Sequence, residues 1–174
     1  MLTILGTRRI FEGRVISVRV DEVRYDNGHR GSIEVVEHRG GVAIVARPDP
    51  AHIVLVRQYR PAPGRELWEV PAGKLEAGEE PLASAIRELA EETGYRCSRM
   101  RRLWSFYTSP GFSNELLHLY VAEGLTSGAA QTEDNEQIEC RVFAIEDAWR
   151  MVTEDQLPDA KTQIALAWAQ AQPR

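Results

Sequence analysis

The sequence predicts a mixed α/β fold. Three observations carry that expectation. The first forty or so residues are β-rich, an amphipathic helix lies near the middle, and further strands are closed by two C-terminal helices. Val15 to Val20 alternates apolar residues with Ser17 and Arg19, Asn27-Gly28 is a hairpin turn signal, and Ser32 to Val36 is the return strand. This arginine-rich meander, residues 1–40, is expected as an antiparallel accessory or dimerisation arm ahead of a main domain over 41–174. Gly40-Gly41 punctuates the chain, and Val42 to Ala46 is a continuous apolar run, as in a buried strand. Pro48-Asp49-Pro50 turns into a strand from Ile53 to Val56, which ends in Arg57-Gln58-Tyr59-Arg60. The loop Pro61 to Gly64 leads to Leu67-Trp68-Glu69-Val70-Pro71.

Leu82 to Thr93 carries the clearest helical period. Leu82, Ile86, Leu89 and Thr93 recur at i, i+4, i+7 and i+11 and are expected as its buried face, flanked by Ala85 and Ala90. Gly94 suits the helix end. Strands are expected around Leu103 to Tyr107, Leu116 to Val121 and Ile138 to Ala144, with a polar loop over Gly124 to Asn135. Helices near Ile145 to Thr153 and Asp159 to Gln170 complete the chain.

Composition narrows the partners. The 174 residues are 43% hydrophobic and 27% charged, ordinary for a globular domain, and the net charge is −5. No global basic field attracts nucleic acid, and an anionic substrate would need neutralising locally by metal or a few arginines. Cys97 and Cys140 form no metal or redox spacing and are expected as reduced, buried thiols. No apolar run reaches the ~20 residues of a membrane helix, and no signal-peptide layout opens the chain, so a cytoplasmic protein is expected.

The chemistry concentrates between Gly73 and Tyr95. On an ideal helix with Glu88 at zero, Glu92 lies at about +40°, Glu91 at about −60° and Arg87 at about −100°. Glu88 and Glu92 thus share one stripe at the edge of the buried face. Like charges at this spacing repel by a few tenths of a kcal/mol unless compensated. Mg²⁺ compensates naturally, because it takes carboxylate oxygens and keeps several waters. Arg87 and Glu91 are spaced for a supporting ion pair, Glu79 could reach the same arginine, and Glu91 could instead reach the metal.

These residues resemble a known family. Gly73, Glu79, Arg87, Glu88, Leu89, Glu91, Glu92 and Gly94 fill the Nudix box, with Tyr95 where the family places an aliphatic residue. Arg57 to Arg60, Trp68 to Glu76, Ser109-Pro110-Gly111-Phe112-Ser113-Asn114-Glu115 and Asp159-Ala160-Lys161-Thr162 resemble the ADP-ribose pyrophosphatase branch, whose marker proline is matched by Pro110. The resemblance implies an α/β/α sandwich with a mixed sheet plus the N-terminal arm, which would form an intertwined homodimer. It implies Mg²⁺-dependent hydrolysis (Mn²⁺ would substitute) of ADP-ribose to AMP and ribose 5-phosphate. GDP-mannose or another nucleotide sugar is the alternative substrate, and a non-catalytic ligand-sensing domain is a further alternative.

Roles follow by position from the same resemblance. The carbonyl of Ala72 and the carboxylates of Glu88 and Glu92 would hold metal, and Glu136 a further ion. Glu133 or Asp134 would lie near the general base, and Glu91 and Glu92 would also serve the reaction. Arg60 would bind phosphate, Glu115 would contact substrate, and Pro110 and Gly111 would shape the loop over the site. Trp68 is either core or an adenine neighbour.

Overall fold

Strand and helix boundaries follow from where this chain can bury side chains. In the computed structural model the described residues are 1–128 and 138–173. Among them are strands β1 (Leu2–Glu12), β2 (Ile16–Tyr25), β3 (Arg30–His38), β4 (Gly41–Ala46), β5 (His52–Arg60), β6 (Arg65–Glu69), β7 (Ala72–Lys74), β8 (Tyr95–Tyr107), β9 (Leu116–Ser127) and β10 (Glu139–Ala144). The helices are α1 (Pro81–Thr93), α2 (Ile145–Thr153) and α3 (Ala160–Gln170). The chain forms two compact units, Met1–Gly40 with Ser105–Leu117, and Gly41–Trp104 with His118–Arg174.

In the first unit β1, β2 and β3 make an antiparallel sheet in that order. Asn27-Gly28 makes the turn between β2 and β3. Gly28 sits at φ +82°, a left-handed conformation that glycine adopts freely, and its N–H donates to the Tyr25 carbonyl at 2.9 Å. The segment after Pro110 is tied to β3. Val36 N–H donates to Phe112 O at 2.7 Å, and Asn114 N–H donates to Val36 O at 3.2 Å. The sequence pattern gave no separate strand at β1, and the reason is physical. Every residue of β1 is exposed, so no buried face imposes an alternation.

The second unit is built on β4, whose six residues are all buried, as its apolar run predicts. β4 lies between β7 and β9 in a four-stranded sheet ordered β7-β4-β9-β8. A second sheet, ordered β10-β5-β6, is antiparallel throughout. Val42, Ile44 and Ala46 share a core with Ala85 and Leu89 of α1 and with Tyr120 and Ala122 of β9. α3 also packs on β4, and α2 packs on α3 and β10. Among the described residues no helix is long and apolar enough to cross a membrane.

Four details differ from the pattern reading. β8 begins at Tyr95, directly after the helix, rather than near Leu103. β9 runs through Gly124 to Ser127, where a loop was expected, because its backbone pairing outlasts its apolar residues. Cys97 is half-buried and Cys140 exposed; both are free, but neither is fully buried. The fourth concerns α1. Leu82 and Ile86 are 45% and 50% exposed, while Ser84, Ala85, Leu89, Glu92 and Thr93 are buried. The buried stripe is rotated by roughly 70° from the expected one, toward Glu92. Glu92 hydrogen-bonds the β7 backbone, and small Ser84 and Ala85 let the helix approach the sheet, so hydrogen bonding and close packing outweigh the pull of two apolar side chains.

That rotation sets an expected contrast. Leu89→Ala should cost about 2–5 kcal/mol through the cavity it leaves, and Ile86→Ala under about 1 kcal/mol, as at exposed positions. Urea unfolding of the two variants checks this; equal losses would place the buried face where the periodicity alone put it.

Candidate active site

The site grows from the turn between β7 and α1. β7 is short and pairs with β4 through Ala72↔Ala43, Gly73↔Val42 and Lys74↔Gly41. After Gly78, at φ +75°, the chain enters α1 with Pro81 in the first turn, where its missing N–H costs nothing. Gly94 ends the helix at φ 71°, and its N–H donates to the Ala90 carbonyl.

Arg87 organises the acidic residues around it. Its Nε and Nη2 donate to the two oxygens of Glu79 at 2.9 and 3.0 Å. Its Nη1 donates to Glu88 Oε1 and to Glu91 Oε2, both at 2.8 Å. The expected Arg87–Glu91 pair is therefore present, and Glu79 reaches the same guanidinium from the turn. The fork on Arg87 holds the Glu79 carboxyl well below the usual range, at about 2. The Glu79 contact chiefly holds the Arg87 guanidinium charged, against the opposing pull of burial.

Glu88 and Glu92 meet β7 at adjacent residues. A Cβ on Gly73 would lie 1.8 Å from Glu88 Cδ and 1.9 and 2.3 Å from its oxygens, so only glycine lets this carboxylate lie on the strand. One residue earlier, Ala72 N–H donates to Glu92 Oε2 at 3.0 Å. Glu92 is 6% exposed, and this bond satisfies part of a carboxylate that burial would otherwise penalise. Among the described residues no three His, Cys, Asp or Glu side chains converge as a metal cluster. The donors at this turn are two carboxylates beside a strand end with its carbonyls. That is a hard-oxygen set suited to Mg²⁺, which fills its remaining positions with water.

A second polar cluster lies under Arg60, and the sequence reading gave no role to most of it. Glu69 is 1% exposed. Its carboxylate accepts a fork from Arg60, Nε to Oε1 and Nη2 to Oε2, both at 2.8 Å. It also accepts from Lys161 Nζ at 2.5 Å, and Nζ reaches Asp159 Oδ1 at 2.9 Å. Asp159 caps α3 by accepting from Thr162 N–H at 2.9 Å. The Thr162 hydroxyl donates to the same carboxylate and accepts from Val70 N–H at 2.9 Å. Burial pushes the Glu69 carboxyl up, and Arg60 and Lys161 more than offset it, leaving it below its ordinary range. The Glu69 contact likewise raises Arg60, and Glu92 and Asp159 add smaller pulls in the same direction. The available signals were Glu69 between strand residues and the Asp159/Thr162 capping interval.

Trp68 is not brought to this cluster. It is paired with Arg57, whereas Glu69 is paired with Val56, so the two side chains point to opposite faces of the sheet. Trp68 packs edge-on against Phe143 at 5.0 Å, with the guanidinium carbons of Arg57 and Arg141 at 5.6 and 5.3 Å from its ring. Pro110, Gly111 and Glu115 belong to the first unit. Pro110 and Gly111 form a turn in which the N–H groups of Phe112 and Ser113 donate to Ser109 O at 3.1 and 2.9 Å. Glu115 accepts from the Thr108 hydroxyl at 2.6 Å and lies 3.3 Å from His38 Nδ1. Glu133, Asp134 and Glu136 lie outside the described residues.

Comparison with known proteins agrees with this geometry. The family model described as the NUDIX domain matches residues 37–165. The chain is 44% identical to a protein of Bacillus methanolicus named methanol dehydrogenase activator, over 97% of this chain and 92% of that one. It is 39% identical to a protein of Bacillus subtilis named ADP-ribose pyrophosphatase, over 95% and 91%. A crystal structure described as an ADP compounds hydrolase shares the fold, with a TM-score of 0.86 at 22% identity, covering 99% of this chain and 96% of that one. The Gly73–Glu88 and Ala72–Glu92 contacts, the Arg87 cluster and a family match over most of the sequence agree: the chain belongs to the Nudix family of hydrolases.

Proposed function

We propose that the chain hydrolyses the pyrophosphate of ADP-ribose, with Mg²⁺, to AMP and ribose 5-phosphate. The observation that carries this reading is the convergence of Glu88 and Glu92 on adjacent residues of β7, Gly73 and Ala72. Relatives named ADP-ribose pyrophosphatase support the substrate. In this reading the Ala72 carbonyl, Glu88 and Glu92 hold the metal, with Glu136 as a further ligand. Mg²⁺ when bound supplies charge neutralisation of the pyrophosphate and a more acidic water.

The protein's own groups do the rest. Arg87 restrains Glu88 and Glu91 and keeps Glu79 out of the reaction. Arg60 binds a phosphate oxygen through the part of its guanidinium not engaged by Glu69. Glu91, half-exposed at the rim, orients the attacking water together with Glu133 or Asp134. Attack forms one P–O bond and breaks the bridging P–O bond, and the leaving phosphate takes the electron pair. Little covalent work falls to the protein, so alignment and charge dominate. The apolar Leu2, Ile4, Leu5, Ile10 and Phe11 exposed on β1 support a homodimer formed through this strand; sedimentation equilibrium at the mass of one chain would refute it. The relative named methanol dehydrogenase activator supports a second reading, in which a dehydrogenase is a partner of this chain, tested by that enzyme's turnover with and without it.

The first test is turnover of ADP-ribose, GDP-mannose and ADP-glucose, each with Mg²⁺ and with EDTA. ADP-ribose should be cleaved fastest, to AMP, and only with metal. A faster reaction on GDP-mannose would move the substrate and keep the chemistry, and no turnover would favour a ligand-sensing role. Glu92→Gln should lower kcat by at least ~100-fold with the fold intact by circular dichroism. Gly73→Ala should displace Glu88 and lower kcat by about tenfold or more through a misplaced ligand; calorimetry should show weaker Mg²⁺ binding, and unchanged binding would remove Glu88 from the ligand set.

A further inference from the structure

Lys161 stands where helix electrostatics do not favour it. It lies in the first turn of α3, next to the Asp159 cap, and a cation there opposes the positive end of the helix dipole. Its side chain is only 14% exposed, and lysine is among the residues least often buried. Helix stability and solvation both argue for another residue. What holds it is a closed ring of contacts: Lys161 to Glu69, Glu69 through the chain to Val70 N–H, Val70 to Thr162, Thr162 to Asp159, and Asp159 back to Lys161.

Arg60 is hydrogen-bonded to this ring through Glu69, with weaker attraction from Asp159. Glu69 does not need a second cation to be paired, because the Arg60 fork already occupies both of its oxygens. Lys161 instead shares Oε2 with Arg60 Nη2. A shared carboxylate draws the guanidinium in less tightly than one facing Arg60 alone. The ring also fixes where that carboxylate points, because α3 and the strand end at Val70 are tied to the same threonine. We propose that Lys161 is a positioning residue for Arg60: by sharing Glu69 and anchoring it to the start of α3, it orients the guanidinium toward the pyrophosphate. The inference rests on the reading of Arg60 as a phosphate-binding residue.

The test uses the full chain with Mg²⁺ and ADP-ribose, and four variants: Arg60→Met, Lys161→Met, the double variant and Lys161→Arg. Each single variant leaves Glu69 one cation. Arg60→Met should raise KM about tenfold or more, the loss of one charge-assisted contact. Lys161→Met should raise KM several-fold, with kcat within about threefold. The double variant, made together with Glu69→Gln so that no buried carboxylate is left without a cation, should be no worse than Arg60→Met, and Lys161→Arg should recover most of the loss. Binding of α,β-methylene ADP-ribose by calorimetry should follow the same order without turnover. If Lys161→Met does not fold, Asp159→Asn, which loosens the same lysine and keeps a cap, should raise KM in the same direction. An unchanged KM in Lys161→Met, or effects that multiply in the double variant, would overturn the inference while leaving Arg60 as a ligand. An unchanged KM and Kd in Arg60→Met would overturn the reading of Arg60 and the inference with it.

Discussion

The hydrogen bond from Ala72 N–H to Glu92 is the constraint from which the packing of α1 on its sheet can be rebuilt. A carboxylate this deeply buried is tolerated only if its oxygens are used. Using them on β7 sets the rotation of α1, and the rotation exposes Leu82 and Ile86 while turning Ala85 and Leu89 onto β4. The same rotation lays Glu88 over Gly73, a position that any side chain would fill. One backbone bond thereby couples helix packing, the glycine and both carboxylates.

The two polar clusters differ in charge, and the difference divides their labour. Around α1 three carboxylates, Glu79, Glu88 and Glu91, meet the single guanidinium of Arg87, and a fourth, Glu92, lies on the β7 backbone. That excess of negative charge is unfavourable alone and becomes favourable with a divalent cation. Around α3, Arg60 and Lys161 balance Glu69 and Asp159. A balanced cluster demands no ion, so it can hold an arginine in place for a ligand that arrives with its own charge. A fully buried pair would need this balance merely to exist. Here Arg60 is 37% exposed, which leaves part of the guanidinium for work outside the cluster.

Much of this was legible in the sequence. β4 announced itself because an all-apolar run has few homes but a strand buried on both faces. The α1 acids were legible because their spacing places them on one stripe whatever surrounds the helix. What period could not give was the azimuth of that stripe, since it is set by a bond to a strand distant in sequence. β1 was missed because a strand that buries nothing carries no alternation. Glu69 and Lys161 were missed for a related reason. They are 92 residues apart, and neither sits in a local pattern that requires a partner.

The Gly73–Glu88 approach and the Glu69–Lys161 pair show two ways of making a site rigid. In the first, a missing side chain lets a carboxylate rest on backbone, and precision comes from packing. In the second, precision comes from charge shared among groups on three elements, β5, β6 and the start of α3. Packing is insensitive to the ions in solution, so it would suit the metal-ligand role proposed for Glu88. Shared charge can redistribute when a new anion arrives, because a bond from Arg60 to phosphate weakens its hold on Glu69 while Lys161 strengthens its own. In the role proposed for Arg60, Lys161 keeps Glu69 paired when the guanidinium engages the substrate, so the buried carboxylate is not left alone.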